Sequence, residues 1–308
     1  MKRTRSLVVL GLMALALLSA GYSRAGGHSG FASRVGTSDA QKLAGQRADA
    51  EQWLAERHAW KERNDRGRHR LLREVAWRAA GPSLEVDGGR NGGVVVAGWG
   101  RDSIHVVARV QAEARSLEQA RALAGSVRIV HQGGRLTAEG DDDDDDASWS
   151  VTFDVLVPRT MALRLAAHNG PVCVADVNAR IEAETVNGPV ALSGLSGDVR
   201  ARTQNGPIAV SLTGTRWLGA GLDASTQNGP VALVVPRGYS CLLETGTING
   251  PMSMGFPVTI EPGITVGRRH LTTKLGGGGP RIRVVTNNGP AVVRHVGDPE
   301  SEGDDVEF

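Results

Sequence analysis

The chain has 308 residues, which is enough for one large domain or two smaller ones with a buried core. Its 41 glycines and an aromatic content of only 4% favour short strands and tight turns over a helical enzyme. The formal net charge is +2, but the first 25 residues hold four of the 35 Lys and Arg and no acid. The remainder has 31 basic and 33 acidic residues, a net charge of −2, which argues against nucleic acid as a partner.

The N-terminus is typical of an export signal. Three basic residues precede an apolar run from Leu7 to Ala20, and small residues follow that run. This pattern predicts a secretory signal peptide over residues 1–25, cleaved after Ala20 or after Ala25. The run is short for a membrane span, and Gly21 stands where a lipid-bearing cysteine is required. We therefore expect a periplasmic or extracellular protein without a lipid anchor and without a transmembrane segment after cleavage.

Residues 26–72 are rich in charge and show only a weak helical pattern. Within this segment a basic stretch begins at Lys61 and ends at Arg73. It has two readings, a basic helix that contacts an anionic envelope surface or a solvated linker. We favour a charged linker that is partly helical or disordered.

The next part of the chain predicts separate strands, one helix and one hairpin. Ser116 begins a capping-box pattern, so a short helix should run to about Ala124. The glycine pair Gly133–Gly134 predicts the turn of a hairpin. The predicted strands cover Val94–Val96, Ser103–Val110, Val127–Val130, Arg135–Ala138 and Ser148–Val157.

Six consecutive aspartates, Asp141–Asp146, precede the last of these strands. Adjacent carboxylates repel one another, and ordered calcium loops separate their ligands and place a glycine at a sharp turn. The run is therefore predicted to be a solvated hairpin tip and not a metal site.

The tripeptide Asn-Gly-Pro occurs six times, with spacings of 18, 18, 23, 21 and 39 residues. Aliphatic residues stand six positions before each Asn, and apolar residues stand three and five positions after it. This alternation predicts a strand, a turn and a second strand in every repeat, each with one face inward. We expect glycine to supply a special backbone conformation at the corner, and the Asn and Thr side chains to stack facing partly inward. The corner asparagines are Asn169, Asn187, Asn205, Asn228, Asn249 and Asn288.

A column of outward charges lies five residues before each Asn. Its sign alternates over the first four members, and the succession of Asp223 and Glu244 breaks the alternation. Stacked parallel strands bring such residues about 4.8 Å apart, where opposite charges are favoured, whereas an antiparallel meander separates them by two strands. In chain order the column is Arg164, Glu182, Arg200, Asp223, Glu244 and Arg283.

The prediction is an all-β protein. Residues 73–296 are expected to form a single-stranded parallel β-helix (solenoid) of roughly 18-residue coils, with the short helix and the hairpin inserted in its N-terminal part. Residues 297–308 are expected to be an acidic disordered tail.

These residues resemble a known family. The repeat Leu195–Val199 followed by Thr203–Gly206 is similar to that of bacterial "putative adhesin" proteins, which are exported β-strand-repeat proteins of unknown function related to head-GIN and toastrack-type domains. Arg90–Gly92 and Lys274–Gly278 match as well, and the resemblance covers about residues 74–296. It implies a β-helix-like fold at the cell envelope and transfers no catalytic residue. The chain departs from the family in having Pro after Asn-Gly, where Asp is frequent.

The sequence contains no metal-ligand spacing, nucleophile motif or phosphate loop, so we predict no enzyme, no metal and no cofactor. His168 is interpreted as a surface corner residue. Trp217 and Trp99 are the candidate ligand contacts, since an exposed indole stacks on a sugar ring, although each also fits packing over a coil edge.

The predicted function is a non-catalytic, exported scaffold or adhesion module of the cell envelope, with a further role in envelope-stress sensing left open. Its expected partner is a cell-envelope polysaccharide or an envelope protein. The alternative is a carbohydrate-active β-helix enzyme, a polysaccharide lyase or hydrolase, which needs a groove lined by unpaired carboxylates. Cys173 and Cys241 lie on opposite strand faces in the repeat, which argues against a disulfide, but their pairing is left open.

Overall fold

The computed structural model describes residues 67–141, 147–257, 265–266 and 269–297. These residues form 21 strands and one helix, with the strands arranged in two large sheets. The main hydrophobic core draws its side chains from the inner faces of both sheets. The predicted signal peptide, most of the predicted linker and the acidic tail from residue 298 lie outside the described residues.

The first sheet has ten strands. In spatial order they are β1 (Arg68–Arg78), β4 (Ser103–Glu113), β7 (Ser148–Pro158), β3 (Val94–Trp99), β9 (Val172–Ala175), β11 (Val190–Ser193), β13 (Ile208–Ser211), β15 (Val231–Val235), β21 (Ala291–His295) and β17 (Met252–Met254).

The second sheet has eleven strands. In spatial order they are β18 (Thr265–Val266), β19 (His270–Leu275), β16 (Cys241–Asn249), β20 (Arg281–Asn288), β14 (Gly221–Asn228), β12 (Ser196–Asn205), β10 (Asn178–Thr185), β8 (Ala162–Ala167), β2 (Ser83–Asp87), β6 (Arg135–Glu139) and β5 (Arg128–Gln132).

The Asn-Gly-Pro repeats stack in parallel and in register. Ile181 of β10 pairs with Leu163 of β8 on one side and with Val199 of β12 on the other, so each step between these strands equals one 18-residue repeat. The chain as a whole is not one continuous parallel helix, because β4 pairs antiparallel with β1 and β7, and β16 pairs antiparallel with β19. The all-β class is confirmed, but the sheets are mixed.

The last two repeats exchange places in space. The repeat of Asn288 (β20 and β21) lies between the repeat of Asn228 (β14 and β15) and that of Asn249 (β16 and β17). The stacking order therefore differs from the chain order that a simple solenoid predicts. The hairpin strand β19 covers the outer edge of β16 in the second sheet.

The predicted inward columns form the core between the sheets. The aliphatic residues six positions before each Asn are all buried, from Leu163 in β8 to Leu243 in β16. Each buried aliphatic side chain contributes about 1.5–3 kcal/mol relative to an exposed one, so these columns favour one register of the strands. The column comprises Leu163, Ile181, Val199, Leu222, Ile282 and Leu243.

The corner glycines are required mainly because neighbouring coils approach closely. A Cβ atom on Gly206 would lie 2.0 Å from the carbonyl oxygen of Gly188, and one on Gly188 would lie 2.1 Å from that of Gly170. None of these three glycines has a φ angle in the left-handed region. At these three corners the close approach, and not the backbone conformation, requires glycine. The predicted special conformation is found at two other corners, Gly229 and Gly289, with φ angles of 152° and 148°.

The N-terminal part contains the predicted elements together with two strands that were not predicted, β1 and β2. The helix α1 (Leu117–Ser126) begins after Ser116, whose Oγ accepts a hydrogen bond from the backbone N–H of Gln119 at 3.2 Å, and β5 and β6 form the predicted hairpin. Strand β1 begins at Arg68, inside the predicted linker. Its charges are compatible with a strand because it lies at a sheet edge.

The strands on either side of the aspartate run, β6 and β7, belong to different sheets and do not pair with each other, as the strands of a hairpin would. Asp142–Asp146 lie outside the described residues.

The two cysteines are buried in different places and are not joined in a disulfide. Cys241 lies in the main core, whereas Cys173 belongs to a smaller cluster on the outer face of the first sheet with Val95 and Leu156. Their opposite strand faces were predicted, but burial of the outer face was not.

Candidate functional site

The outer face of the second sheet carries one charge of alternating sign on each of eight neighbouring strands. The register pairs each member directly with the next. The break at Asp223 and Glu244 disappears in space, because Arg283 lies between them. From β6 to β16 the charge ladder is Arg135, Glu85, Arg164, Glu182, Arg200, Asp223, Arg283 and Glu244.

Arg283 contacts a carboxylate on each side. Its Nη1 lies 2.8 Å from Oδ1 of Asp223, and its Nε lies 3.0 Å from Oε1 of Glu244. Arg281 also donates to Glu244, from Nε at 2.7 Å and from Nη2. At the other end of the ladder, Arg135 Nε lies 3.4 Å from Oε1 of Glu85.

Two carboxylates of the charge ladder, those of Glu244 and Glu182, are held ionised by arginines. Burial acts to raise the pKa of Glu244, but hydrogen bonds from Arg281 and Arg283 outweigh it and hold that pKa below its ordinary value. The hydrogen bond from Arg180 lowers the pKa of Glu182 in the same direction. An acid held ionised in this way is a poor proton donor, so the charge ladder suits a structural role better than general acid catalysis.

A second ladder, made of asparagine amides, runs along the corners. Each Nδ2 donates to Oδ1 of the neighbouring asparagine at 2.8–3.0 Å. These side chains lie at the surface, so their predicted inward orientation is wrong. In spatial order the asparagine ladder is Asn91, Asn169, Asn187, Asn205, Asn228, Asn288 and Asn249.

Four of the threonines that lie two residues before an asparagine donate hydrogen bonds to glycine carbonyls of the neighbouring coil. Thr203 Oγ1 donates to the carbonyl of Gly188 at 2.9 Å, and Thr226 Oγ1 donates to that of Gly206 at 2.8 Å. These bonds satisfy buried hydroxyls and fix the spacing between coils.

The asparagine ladder has a direction and ends at a cleft. All the Nδ2 groups point toward Asn91, so at that residue only the amide oxygen is used by the ladder. Asn91 lines an open cleft of about 430 Å³, within the size range of small-molecule sites. A search for Asn-Gly-Pro misses this residue because Gly93 stands at the proline position.

Two segments form the cleft walls. One is the turn that follows β2, with Asp87, Arg90 and Asn91. The other comprises residues 137–141 and the start of β7, with Asp141 and Trp149. The half-buried Trp149 indole packs against the core and donates from Nε1 to the carbonyl of Asp141 at 2.8 Å. The ring therefore forms a fixed aromatic wall.

One arginine and two aspartates line the cleft, namely Arg90, Asp87 and Asp141. Asp87 accepts from the backbone N–H of Gly89 at 2.9 Å and from Nη2 of Arg135 at 2.9 Å. Arg135 lies outside the lining and is also 3.4 Å from Glu85, so the cleft has no surplus of positive charge. With one carboxylate paired, the cleft has no pair of free acids of the kind that glycoside hydrolysis needs.

Trp217 and Trp99, the predicted ligand contacts, are both buried, with exposed fractions of 4% and 8%. Trp217 Nε1 donates to the carbonyl of Gly197 at 3.0 Å, and Trp99 Nε1 donates to that of Ser103 at 2.7 Å. Their placement corresponds to the packing alternative and gives no support to ligand contact. Sequence reasoning missed Trp149, which reads as an ordinary strand residue until β7 is placed beside the turn after β2.

The remaining candidates have no site around them. His168 is exposed at its corner, as interpreted from the sequence. Within the described ranges, no three His, Cys, Asp or Glu side chains are grouped so that they could hold a metal ion. Among the same residues no helix has the length and apolarity needed to cross a bilayer.

Comparisons with known proteins give structural likeness at low identity. No family model matches the sequence, and no curated protein matches it. A crystal structure named "putative cell adhesion protein" from Clostridium sporogenes is 6% identical with a TM-score of 0.36, covering 73% of this chain and 100% of its own. A "putative adhesin" from Bacteroides fragilis is 11% identical with a TM-score of 0.33, covering 73% of this chain and 97% of its own.

A third structure is named "putative lipid binding protein" and comes from Parabacteroides distasonis. It is 9% identical with a TM-score of 0.30, covering 74% of this chain and 96% of its own. At these scores the likeness assigns neither a family nor an activity to the chain.

Proposed function

We propose that the chain is an exported, non-catalytic binding module of the cell envelope whose ligand occupies the cleft beside Asn91. The observation that carries this proposal is the cleft itself, with a fixed indole, an amide donor and a guanidinium group on one stiff scaffold. Adhesion to the envelope is the proposed role, and the export pattern of residues 1–25 supports the location.

The arrangement of acids supports binding over catalysis. A polysaccharide lyase or hydrolase was the alternative, and it needs a groove lined by three or more unpaired carboxylates. The cleft has two carboxylates, and that of Asp87 is bonded to Arg135. In the part of the chain that the structure describes, the neighbouring charge ladder pairs acids with arginines in the same way.

Sedimentation with isolated envelopes tests the proposal. The purified protein lacking residues 1–25 should co-sediment with bacterial cell envelopes, and Arg90→Ala should reduce the bound fraction. Asn249→Ala cuts the same asparagine ladder at the end away from the cleft and should leave binding unchanged. Failure of the wild-type protein to co-sediment would contradict a binding role, and release of saccharide fragments from the envelopes would favour the enzyme.

The location needs a separate measurement. The protein made from the full sequence should appear outside the cytoplasm and should be shortened by the predicted 20 or 25 residues, as mass spectrometry can show. Retention of the full-length chain in the cytoplasm would contradict export. Surface proteolysis of intact cells then separates the cell surface from the periplasm.

A further inference from the structure

We propose that the cleft binds an uncharged saccharide unit of an envelope polysaccharide. This inference rests on the proposed function and names the ligand class for the same site. It is argued from the aromatic wall, the hydrogen-bonding groups and the balance of charge.

The aromatic wall suits the apolar face of a sugar ring. A pyranose ring has a face of C–H groups and a rim of hydroxyls, so it packs on an indole that is held flat and partly exposed. Trp149 meets this need, because its Nε1–H is bonded to the carbonyl of Asp141 and its ring is braced against the core. A fixed ring loses little conformational entropy when a ligand packs on it.

The polar groups of the cleft suit hydroxyls, which both donate and accept. Asn91 uses its amide oxygen within the asparagine ladder, and its two Nδ2–H donors are left for a ligand or for water. Asp87 is neutralised by Arg135, yet each of its oxygens keeps a lone pair that can accept from a hydroxyl. Arg90 adds donors from an exposed side chain on the same turn.

The electrostatics disfavour an anionic ligand. The lining has one guanidinium group, of Arg90, against the carboxylates of Asp87 and Asp141, and Arg135, which lies outside the lining, is shared between Asp87 and Glu85. No surplus of positive charge is therefore present to attract an anion. A lipid chain would cover the polar side chains of Asp87, Asn91 and Asp141 without bonding to them, which disfavours that ligand.

Titration calorimetry with three oligosaccharides tests the ligand class. The probes are a tetramer of β-1,4-linked N-acetylglucosamine, a tetramer of β-1,4-linked glucose and a trimer of galacturonic acid. We expect measurable binding of at least one uncharged tetramer, and weaker or no binding of the anionic trimer. Preference for the anionic trimer would overturn the inference.

Single substitutions test the site. Trp149→Ala should weaken binding of the uncharged probe by about tenfold or more. Arg90→Ala and Asn91→Ala should each weaken it by about twofold to tenfold, the range that corresponds to a net hydrogen-bond contribution of roughly 0.5–1.5 kcal/mol. The two exposed positions keep the test valid if Trp149→Ala fails to fold.

Matched controls lie away from the cleft. Trp77→Ala removes another half-buried indole, which stacks on His131, and Asn249→Ala alters the opposite end of the asparagine ladder. Both should bind the probe like the wild-type protein. Equal binding by wild type and by all three cleft variants would place the saccharide elsewhere and overturn the inference.

Failure of this inference differs from failure of the proposed function. If the wild-type protein co-sediments with envelopes but binds neither uncharged tetramer, the binding role stands and the saccharide class is wrong. If the protein neither co-sediments nor binds a probe, both are wrong.

Discussion

A double-mutant cycle between Arg283 and Asp223 tests whether the repeat of Asn288 lies between those of Asn228 and Asn249. The two residues are 60 positions apart in sequence, but their strands are paired and their side chains form an ion pair at 2.8 Å. The single variants are Arg283→Ala and Asp223→Ala. A second cycle between Asp223 and Glu244 is the matched control, since chain order alone would make those two carboxylates neighbours.

The size of each coupling follows from exposure and distance. The side chains of Arg283 and Asp223 are 30% and 49% exposed, so solvent screens their attraction and the expected coupling is about 0.5–1 kcal/mol. Asp223 and Glu244 are two strands apart, roughly 10 Å, which is comparable to the Debye length at 0.1 M salt. Their repulsion should therefore be below about 0.3 kcal/mol.

Urea unfolding followed by far-UV circular dichroism measures both couplings. Repeating the first cycle in 1 M NaCl should reduce its coupling, because the Debye length then falls to about 3 Å. A coupling below about 0.2 kcal/mol for Arg283 and Asp223 would refute the inserted order. So would a repulsion between Asp223 and Glu244 that exceeds this attraction.

Three further predictions concern the packing of the coils and one buried acid. Thr203→Val removes a hydroxyl that donates to a glycine carbonyl at 2.9 Å, and it should lower the free energy of unfolding in urea by about 1 kcal/mol. The buried hydroxyl of Thr247 has no hydrogen-bond partner in the described part of the chain, so Thr247→Val should be neutral or stabilising. Equal losses of stability would contradict the role of the bond. Gly206→Ala places a Cβ atom 2.0 Å from a backbone oxygen and should lower the free energy of unfolding by more than about 2 kcal/mol. Gly81 has open space around it, so Gly81→Ala should leave Tm nearly unchanged. An unchanged Tm for Gly206→Ala would refute the close approach. Burial raises the pKa of Asp176 from 3.8 to about 6, so the folded protein is most stable where this acid is protonated, below pH 3.8, and loses that stability as pH rises through 6. Asp176→Asn should therefore raise Tm at pH 7, and this gain in Tm should disappear near pH 4. A gain in Tm that does not depend on pH would contradict this account.

The repeated part of the fold is predictable because the sequence of each repeat indicates its strands, its turn and its inward face. Alternating aliphatic residues around Asn187 or Asn205 specify which strand face is inward, and the charge column indicates parallel neighbours. The same charge column also indicates the inserted repeat. The break between Asp223 and Glu244 is removed if the repeat with Arg283 is placed between them, as the structure has it.

The rest depends on contacts between distant parts of the chain. Strand β1 is rich in charge and has no alternation that separates it from a linker, so only its pairing with β4 identifies it. The cleft arises where Trp149 on β7 comes beside Asn91 after β2, and neither local sequence marks that proximity. Trp217 lies where the repeat spacing increases from 18 to 23 residues, and an indole at such a position can either contact a ligand or fill space. Trp217 packs in the main core, and Trp99 packs in the smaller cluster with Cys173.

The inserted repeat bears on how this protein reaches its folded state. Strands β20 and β21 leave the ribosome after β16 and β17, yet they fill the place between those strands and the preceding coil. The coils cannot be added one at a time in the order of synthesis. Strand β16 must not pair with β14 before β20 is made, because β20 occupies the place between them. A chain that stops before Arg281 would leave Asp223 and Glu244 without the arginine they share and β16 without its inner neighbour. Such truncated products should therefore be recognisably incomplete, and susceptible to proteases, despite containing most of the repeats.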